Sequence, residues 1–469
     1  MSDTTPTAPD YRDTVFLPQT DFPMRAGLPQ REPEWLARWE RLGIYDRLRA
    51  KPGRKPFILH DGPPYANGHL HIGHALNKVL KDFITRSQQM MGRDARYVPG
   101  WDCHGLPIEW KIEEEYRKKG LDKDTVDTVE FRQECRAFAE SWVKIQREEF
   151  QRLGVIGKWE APYLTMDFHA EAVIAAEFMK LLMNGSLYQG SKPVMWSPVE
   201  KTALAEAEVE YHDHTSHTIW VRFPVVDAVS VEAFEVDSPA TARDAQMKAD
   251  EERFEREEEL KSASVVIWTT TPWTIPQNRA VAYNPGIAYG LYEVGTVAEN
   301  ATATPGEKLL LADALADAVM QSAKVESYKR LRDVAEHELA DMTLAHPLRG
   351  VEGGKGEWDY NVPMLPGDHV TDDAGTGFVH TAPSHGDDDY QLFLKFRDPK
   401  KYPNLQMTHN VDADGTYRHD LPIFGGQAII QSDGKEGPAN VSVIKMLAPK
   451  DKGGVGALLA KGKIKHSYP

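Results

Sequence analysis

The chain is poor in cysteine, with two in 469 residues, Cys103 and Cys135. Two thiols cannot build a disulfide framework or an all-cysteine metal cluster, so a reducing, cytoplasmic setting is expected. No uninterrupted apolar stretch approaches the roughly 18 residues of a membrane span, so no membrane partner is expected. Basic residues are in the minority, because 55 Lys and Arg stand against 71 Asp and Glu, a net charge of −16. That balance argues against a broad basic surface for nucleic acid but is compatible with a local basic groove.

The patterning of the chain divides it into four segments. Residues 1–44 lack the basic start and apolar core of a signal peptide, and their composition predicts a loose N-terminal arm. Over 45–190, short apolar runs, Gly/Pro turns and helical periodicity alternate in the β–α order of a parallel α/β domain. Residues 191–426 show the patterns typical of β-strands and few long helical patterns. Residues 427–469 predict a weakly helical return segment.

A first group of polar residues lies where a predicted strand and a Gly/Pro turn lead into a helix, at His71-Ile72-Gly73-His74. Histidines three apart share one helix face, and the free N–H groups at a helix start attract phosphate. Imidazoles there can donate hydrogen bonds to charge that develops on a transferring phosphoryl group. Two surface histidines would be the simpler interpretation of the pattern alone. Its position between strand and helix favours nucleotide chemistry.

A second group combines a threonine-rich strand, Thr269-Thr270-Thr271, with Asn278 and a distant Gly-rich loop that runs from Gly375 to Asp389. Threonine is common in strands for packing reasons, so β-propensity and a charged turn would explain these segments equally well without further context.

Two long motifs supply that context: Asp61-Gly-Pro-Pro-Tyr-Ala-Asn-Gly-His-Leu-His-Ile-Gly-His74 and Gly100-Trp-Asp-Cys-His-Gly-Leu-Pro-Ile-Glu109. They resemble the class I aminoacyl-tRNA synthetases, and within that family the isoleucine-specific members rather than the valyl or leucyl ones. The resemblance implies an α/β fold, in which the first half of a Rossmann-like catalytic domain (45–190) is interrupted by a mostly β editing insertion (191–426). Residues 427–469 would then return toward the second catalytic half.

The resemblance also implies roles for residues of the first half. The catalytic residues would be His71 and His74. ATP, accompanied by Mg²⁺ as counter-ion, would be bound by Gly62, Asn67, Gly68, His71, Gly73 and His74. Isoleucine would be bound by Gly62, Pro63 and Asp102, whose carboxylate suits an ammonium group. Cys103 and His104 look like a metal pair, but no second pair lies at a plausible spacing, so neither a zinc site nor any other metal site is expected.

In the insertion, the resemblance implies an editing site for valine misattached to tRNA(Ile). Asp389 would hold the α-ammonium group, although its neighbours Asp387 and Asp388 leave the assignment open by one or two residues. His380 would limit the pocket to side chains smaller than isoleucine. The terminal adenosine and a hydrolytic water would be held by Thr269, Thr270, Thr271 and Asn278.

The sequence departs from the family at one motif, because Lys-Met-Ser-Lys-Ser does not occur in it. We therefore expect this chain alone not to make isoleucyl-adenylate efficiently. The partners implied are isoleucine, ATP and tRNA(Ile), and full-length members of the family are usually monomeric. Three alternatives stay open: an editing deacylase that acts on its own, a small-molecule nucleotidyltransferase, and an inactive fragment that needs a partner half.

Overall fold

A computed structural model describes residues 10–16, 19–21, 25–228, 251, 253–431 and 434–468. The chain divides into two compact units, Met1–Tyr188 and Gln189–Pro469. The division lies two residues before the predicted boundary at 190. The predicted boundary at 426 has no counterpart, because 434–468 belong to the second unit. None of the helices in these ranges is long and apolar enough to cross a membrane.

The first unit combines helices with two pairs of short parallel strands. Its helices are α1 (Leu28–Arg41), α2 (Ile44–Arg49), α3 (Ile72–Met90), α4 (Leu106–Lys118), α5 (Thr128–Arg152) and α6 (Phe168–Met183). Its strands are β1 (Pro56–Ile58), β2 (Asp94–Arg96), β3 (Gly100–Trp101) and β4 (Tyr163–Leu164). Strand β1 pairs with β2 in parallel, and α3 connects them. The β–α–β order expected here is therefore confirmed.

The segment before β1 is helical rather than loose over most of residues 28–49. Helix α1 begins after Gly27, whose φ of 53° is left-handed, and carries a proline in its first turn, where proline is tolerated. The carboxylate of Glu32 accepts a hydrogen bond of 2.8 Å from Arg152 of α5. Arg86 of α3 lies over the ring of Trp39, 5.2 Å from its centroid. These tertiary contacts, which local sequence does not reveal, outweigh the cost of Pro33 inside the helix.

Helix α3 is present as predicted, but the side that packs in this unit is polar. Lys78, Asp82 and Thr85 are its buried residues, whereas Leu76 and Phe83 are 60% and 62% exposed. The apolar periodicity therefore identifies the helix correctly but not the face that the unit buries.

The second unit is built on a ten-stranded mixed sheet. The strands of the unit are β5 (Trp196–Ser197), β6 (Thr202–Ala203), β7 (His212–Asp227), β8 (Ala263–Thr269), β9 (Ala280–Tyr283), β10 (Tyr289–Val294), β11 (Lys308–Ala312), β12 (Tyr328–Val334), β13 (Thr343–Ala345), β14 (Asn361–Pro366), β15 (Phe378–Thr381) and β16 (Leu458–Tyr468). The sheet has the strand order β12-β10-β11-β8-β7-β13-β14-β9-β15, and β16 also pairs with β7. The helices are α7 (253–261), α8 (Ala316–Ser322), α9 (Glu336–Ala340), α10 (Asp387–Phe396) and α11 (Ala439–Leu447).

The sheet curves so that β15 approaches its middle strands. The backbone N–H of Ala312 at the end of β11 donates to the carbonyl of Thr376, at 2.9 Å. Gly377 makes this approach possible, since a Cβ there would lie 2.3 Å from the Cβ of Ala312 and its φ is 81°. Alternate residues of β7, β8 and β11 fill the core beneath. The curvature brings the end of β8 next to β15.

The end of the chain differs from its predicted helical character. Helix α11 ends at Leu447, and β16 then pairs antiparallel with β7, from Leu458 opposite Val221 to Tyr468 opposite His212. Arg222 of β7 donates to the carbonyl of Leu458 at 2.8 Å. The partner strand lies more than 200 residues away in sequence, so a local pattern could not reveal this pairing.

Candidate active sites

In the first unit, the backbone joins the two long motifs side by side. The N–H of Asp102 donates to the carbonyl of Pro64, and the N–H of Ala66 donates to the carbonyl of Asp102, both at 2.8 Å. The amide of Asn67 donates to the carbonyl of Pro107 at 3.0 Å. Two segments some forty residues apart in sequence therefore form one continuous surface.

The two histidines of the first motif cap the start of α3. The N–H of Gly73 donates to Nδ1 of His71 at 3.0 Å, and the N–H of His71 approaches Nδ1 of His74 at 3.4 Å. Their rings stack with centroids 3.9 Å apart. Gly73 is needed between them, because a Cβ there would lie 2.9 Å from Cε1 of His71. Burial, together with the neighbouring His71 and Lys78, lowers the pKa of His74, which favours its neutral imidazole.

A buried ion pair holds the beginning of the same motif. Asp61 accepts hydrogen bonds from Lys78 and, at 2.5 Å, from Lys81, and it also accepts from the N–H of Gly100 at 2.9 Å. Burial opposes both charges and lowers the pKa of Lys78, but the two ammonium groups lower the pKa of Asp61. The carboxylate thus stays ionised and links α3, the first motif and the start of the second.

The remaining predicted residues of the first unit lie on the same surface. Gly62 is exposed and Pro63 and Gly68 are half-buried in the turn before α3. The carboxylate of Asp102 accepts from Thr165 and from the N–H of His104, each at 3.4 Å. These bonds are long, so the Asp102 carboxylate retains capacity to accept a stronger donor.

The second unit holds a cavity of about 180 Å³ where β8 ends beside β15. Four of the six predicted editing residues line it: Thr269, Thr271, His380 and Asp389. Thr270 and Asn278 do not. Five lining residues were not predicted: Trp268, Thr274, Val379, Ala382 and His385. His385 lies inside the Gly-rich loop from Gly375 to Asp389, and Thr274 lies three residues after Thr271, so their polarity was the available signal.

Hydrogen bonds determine the protonation of His380. The amide nitrogen of Asn278 donates to Nδ1 at 2.8 Å and also to the carbonyl of Ala280 at 2.8 Å, so it cannot be exchanged with the amide oxygen. Nε2 lies 2.9 Å from the hydroxyl of Thr274, which already donates to the carbonyl of Thr271. His380 is therefore a neutral imidazole whose Nε2–H donates to Thr274. Burial lowers its pKa to about 3, in agreement.

Asp389 is the acidic residue that reaches the cavity from the first turn of α10. Its carboxylate accepts from the N–H of Ala382 at 2.8 Å, whereas Asp387 and Asp388 are exposed. Burial raises the pKa of Asp389 to about 6; the bond from Ala382 opposes the shift and the charge of Asp388 adds to it. A single backbone donor leaves most of this carboxylate's accepting capacity unused, which suits a cationic ligand.

Among the residues that the structure describes, no group of three or more His, Cys, Asp or Glu is placed to hold a metal ion. Burial raises the pKa of the Cys135 thiol to about 11, and the side chain packs against the core of the first unit.

Comparison with known proteins gives the family. Residues 34–366 match the family model of tRNA synthetases class I (I, L, M and V). A protein of Ruegeria pomeroyi named "Isoleucine--tRNA ligase" is 59% identical over 100% of this chain and 44% of its own length. Proteins of the same name from Bradyrhizobium diazoefficiens and Mesorhizobium japonicum are each 53% identical, over 98% and 100% of this chain and 43% and 46% of their own lengths. The chain thus spans less than half the length of these relatives.

Among solved structures, the editing domain of a Plasmodium falciparum cytosolic leucyl-tRNA synthetase covers 40% of this chain at 15% identity, with a TM-score of 0.27 that is too low to support an argument. The family match, which extends over both units, stands without it. The chain belongs to the class I tRNA synthetases.

Proposed function

We propose that this chain forms part of an isoleucine–tRNA ligase, in which the first unit binds ATP and isoleucine and the second unit hydrolyses valyl-tRNA(Ile). The name shared by relatives at 52–59% identity supports the amino-acid assignment. Within this proposal, the first unit is half of a Rossmann-like catalytic domain and the second is its editing insertion. Because the relatives are more than twice as long, isoleucine activation is proposed for the longer polypeptide.

In the first unit, the joined motifs suit an in-line attack of the isoleucine carboxylate on the α-phosphate of ATP. Asp102 would hold the ammonium group of isoleucine, and His71 and His74 at the start of α3 would contact the phosphates. Isoleucyl-adenylate and pyrophosphate result without a covalent enzyme intermediate, so positioning and charge stabilisation carry the catalysis. Mg²⁺ would enter with the phosphates of ATP.

The cavity in the second unit carries the editing proposal. It combines one buried carboxylate with unused accepting capacity, a wall formed by a neutral imidazole, and a row of threonine hydroxyls. The carboxylate of Asp389 suits the ammonium group of an aminoacyl ester. His380 is bonded through both ring nitrogens, so it presents a fixed surface that limits the side chain of the substrate.

The need for a second site follows from the small difference between the two amino acids. One methylene in an apolar pocket is worth only about 1–3 kcal/mol of discrimination, and isoleucine against valine is the standard illustration of that limit rather than a value obtained from this structure. A hydrolytic site that admits only the smaller side chain supplies the remaining selectivity.

The test is deacylation of valyl-tRNA(Ile) and isoleucyl-tRNA(Ile) by the purified chain. We expect selective loss of the valyl ester and at least a hundredfold slower hydrolysis by Asp389→Ala. Asp388→Ala is the matched control, because that carboxylate lies on the same turn but is exposed, and it should behave as the parent. Equal hydrolysis of both esters, or equal loss in both variants, would contradict the assignment.

A second assay separates the two units. Isoleucine-dependent ATP–pyrophosphate exchange should be very slow with this chain alone, because Lys-Met-Ser-Lys-Ser does not occur in it. Rapid exchange would show that the first unit activates isoleucine without that motif.

A further inference from the structure

His385 lines the cavity of the second unit and is held there in one orientation. Its Nε2 lies within hydrogen-bond distance of Oε1 of Gln277, a side chain that is fully buried. The ring meets that of Trp273 edge to face, with centroids 4.8 Å apart. The backbone N–H of His385 donates to the carbonyl of Ala382 at 2.9 Å. The hydrogen bond to Gln277 and the ring contact with Trp273 hold the imidazole, and the bond to Ala382 holds the backbone that carries it.

The structure places Oε1 of Gln277, rather than its amide nitrogen, against Nε2 of His385. With the amide in this orientation Nε2 is the protonated nitrogen and Nδ1 keeps its lone pair, because an amide oxygen can only accept. Nδ1 makes no hydrogen bond to any residue within the described ranges. Burial, together with the proximity of His409, lowers the pKa of His385 to about 4. The ring is therefore neutral at pH 7, with one nitrogen free to accept a proton.

The other polar groups of the cavity are already engaged. Both ring nitrogens of His380 take part in hydrogen bonds, and its Nε2–H is a donor. Asp389 is needed for the ammonium group. The hydroxyl of Thr274 donates to a carbonyl, and Thr269 and Thr271 lie 3.2 Å apart and bond to each other. Hydroxyl groups are also poor bases at neutral pH.

We propose that His385 is the catalytic base of the second unit, with Nδ1 taking a proton from the water that attacks the ester, and that Gln277 is the positioning residue that holds its tautomer. This inference rests on the proposed hydrolytic function of the cavity.

The step balances without a further reactant. Water oxygen bonds to the ester carbonyl carbon while one of its protons moves to Nδ1. The bond between that carbon and the ribose oxygen then breaks, and the proton on Nδ1 passes to the leaving ribose oxygen. The products are the free amino acid and tRNA with its hydroxyl restored. The imidazolium formed in between donates through Nε2 to the amide oxygen of Gln277, as the neutral ring did.

Hydrolysis of valyl-tRNA(Ile) by the full chain tests the inference through His385→Gln. Glutamine retains a polar atom near the position of Nε2, so it can still bond to Gln277, but it removes the basic nitrogen. General bases contribute about 10²–10⁴-fold, and a base of low pKa belongs at the lower end, so we expect kcat to fall about a hundredfold with KM unchanged. His337→Gln is the matched control, since His337 is exposed in the same unit, and it should retain the parental kcat.

Chemical rescue distinguishes a base from a structural residue. Added imidazole should restore hydrolysis by His385→Ala in proportion to its concentration, and it should not restore hydrolysis by His380→Ala. Nitrogen-15 NMR of the histidine rings in the unmodified chain provides a measurement that needs no variant. We expect an unprotonated Nδ1 and a protonated Nε2 for His385, with titration below pH 5.

The outcomes distinguish the role of His385 from the editing function on which it rests. Selective valyl ester hydrolysis by the parent chain, with a kcat for His385→Gln within threefold of the parent, would overturn the role of His385 and leave the editing function standing. A protonated Nδ1 in the NMR spectrum would overturn it as well. No hydrolysis of either ester by the parent chain would overturn both. A hundredfold loss with imidazole rescue would establish the role.

Discussion

The ionised carboxylate of Asp389 should destabilise the folded protein at neutral pH, and Asp389→Asn should remove this destabilisation. Burial raises the pKa of this carboxyl from 3.8 to about 6, so the folded state disfavours the charged form. In the unfolded chain the carboxyl ionises near its ordinary value of about 3.9. The cost is therefore absent below about pH 4, grows between pH 4 and 6, and is constant above that.

The two pKa values give the size of the effect. A difference of about two pKa units at about 1.4 kcal/mol each corresponds to about 3 kcal/mol at pH 7.5 and to under about 1 kcal/mol at pH 4.5. Asparagine keeps an oxygen that can accept from the N–H of Ala382, the bond that Asp389 makes at 2.8 Å. We therefore expect Asp389→Asn to stabilise the second unit by about 2–3 kcal/mol at pH 7.5 while abolishing ester hydrolysis.

Urea unfolding of the second unit at both pH values measures this difference. Asp388→Asn serves as the control, because the exposed carboxylate should contribute less than about 0.5 kcal/mol at either pH. An Asp389→Asn variant that is no more stable than the parent at pH 7.5 would contradict this prediction. An equal gain at both pH values would contradict it as well, since the destabilisation comes from ionisation alone.

Three further predictions concern rate and stability. The value of kcat/KM for valyl ester hydrolysis should rise with pH to a plateau, with half its maximum near pH 6 because Asp389 ionises there. At pH 5 it should be about tenfold below the plateau. A profile that is flat from pH 5 to 8 would contradict this. His380→Ala should admit the isoleucyl ester and reduce the selectivity for valine about tenfold or more, as parallel deacylation assays would show; unchanged selectivity would remove His380 from the wall of the pocket. Lys78→Met should destabilise the first unit by about 3–5 kcal/mol in chemical unfolding, because it strips a buried partner from Asp61; a loss below 1 kcal/mol would mean that Lys81 alone compensates the carboxylate.

Local sequence patterns identified helices and strands more reliably than they identified which side of each is buried. The apolar spacing along residues 76–84 correctly indicated a helix, yet the unit buries Lys78 and Asp82 on the opposite side. The reason lies in Asp61 and the N–H of Gly100, which the fold brings to that side. The spacing of apolar residues shows that a helix has an apolar and a polar face. Which of the two a unit buries depends on the residues that the fold places against the helix.

The same limit applies to the site in the second unit. Three consecutive aspartates, Asp387 to Asp389, could not be distinguished by sequence, because each helix residue advances the side-chain direction by about 100° and the rotation of α10 is set by packing. The resemblance implies that Asn278 helps to hold the terminal adenosine and a hydrolytic water, and the structure places its side chain fully buried with its amide bonded to Nδ1 of His380. For the aspartates and for Asn278, the residue type correctly indicated polar chemistry. How far each side chain lies from the cavity depends on how β8 and β15 pack together, which the residue type does not show.

The cavity of the second unit holds its polar groups close to electrical neutrality until a ligand arrives. The burial that lowers the pKa values of His380 and His385 also raises that of Asp389, so at pH 6 two rings are neutral and the carboxyl is half-protonated. An entering ammonium group favours the ionised carboxylate, so binding near pH 6 should release a proton from Asp389. The positive charge of the ammonium group is then neutralised at one place in the cavity, the carboxylate of Asp389. An ester without a free ammonium group would leave Asp389 either protonated or as an uncompensated charge. On the proposed editing function, the cavity would therefore select for α-amino acid esters by electrostatics as well as by size.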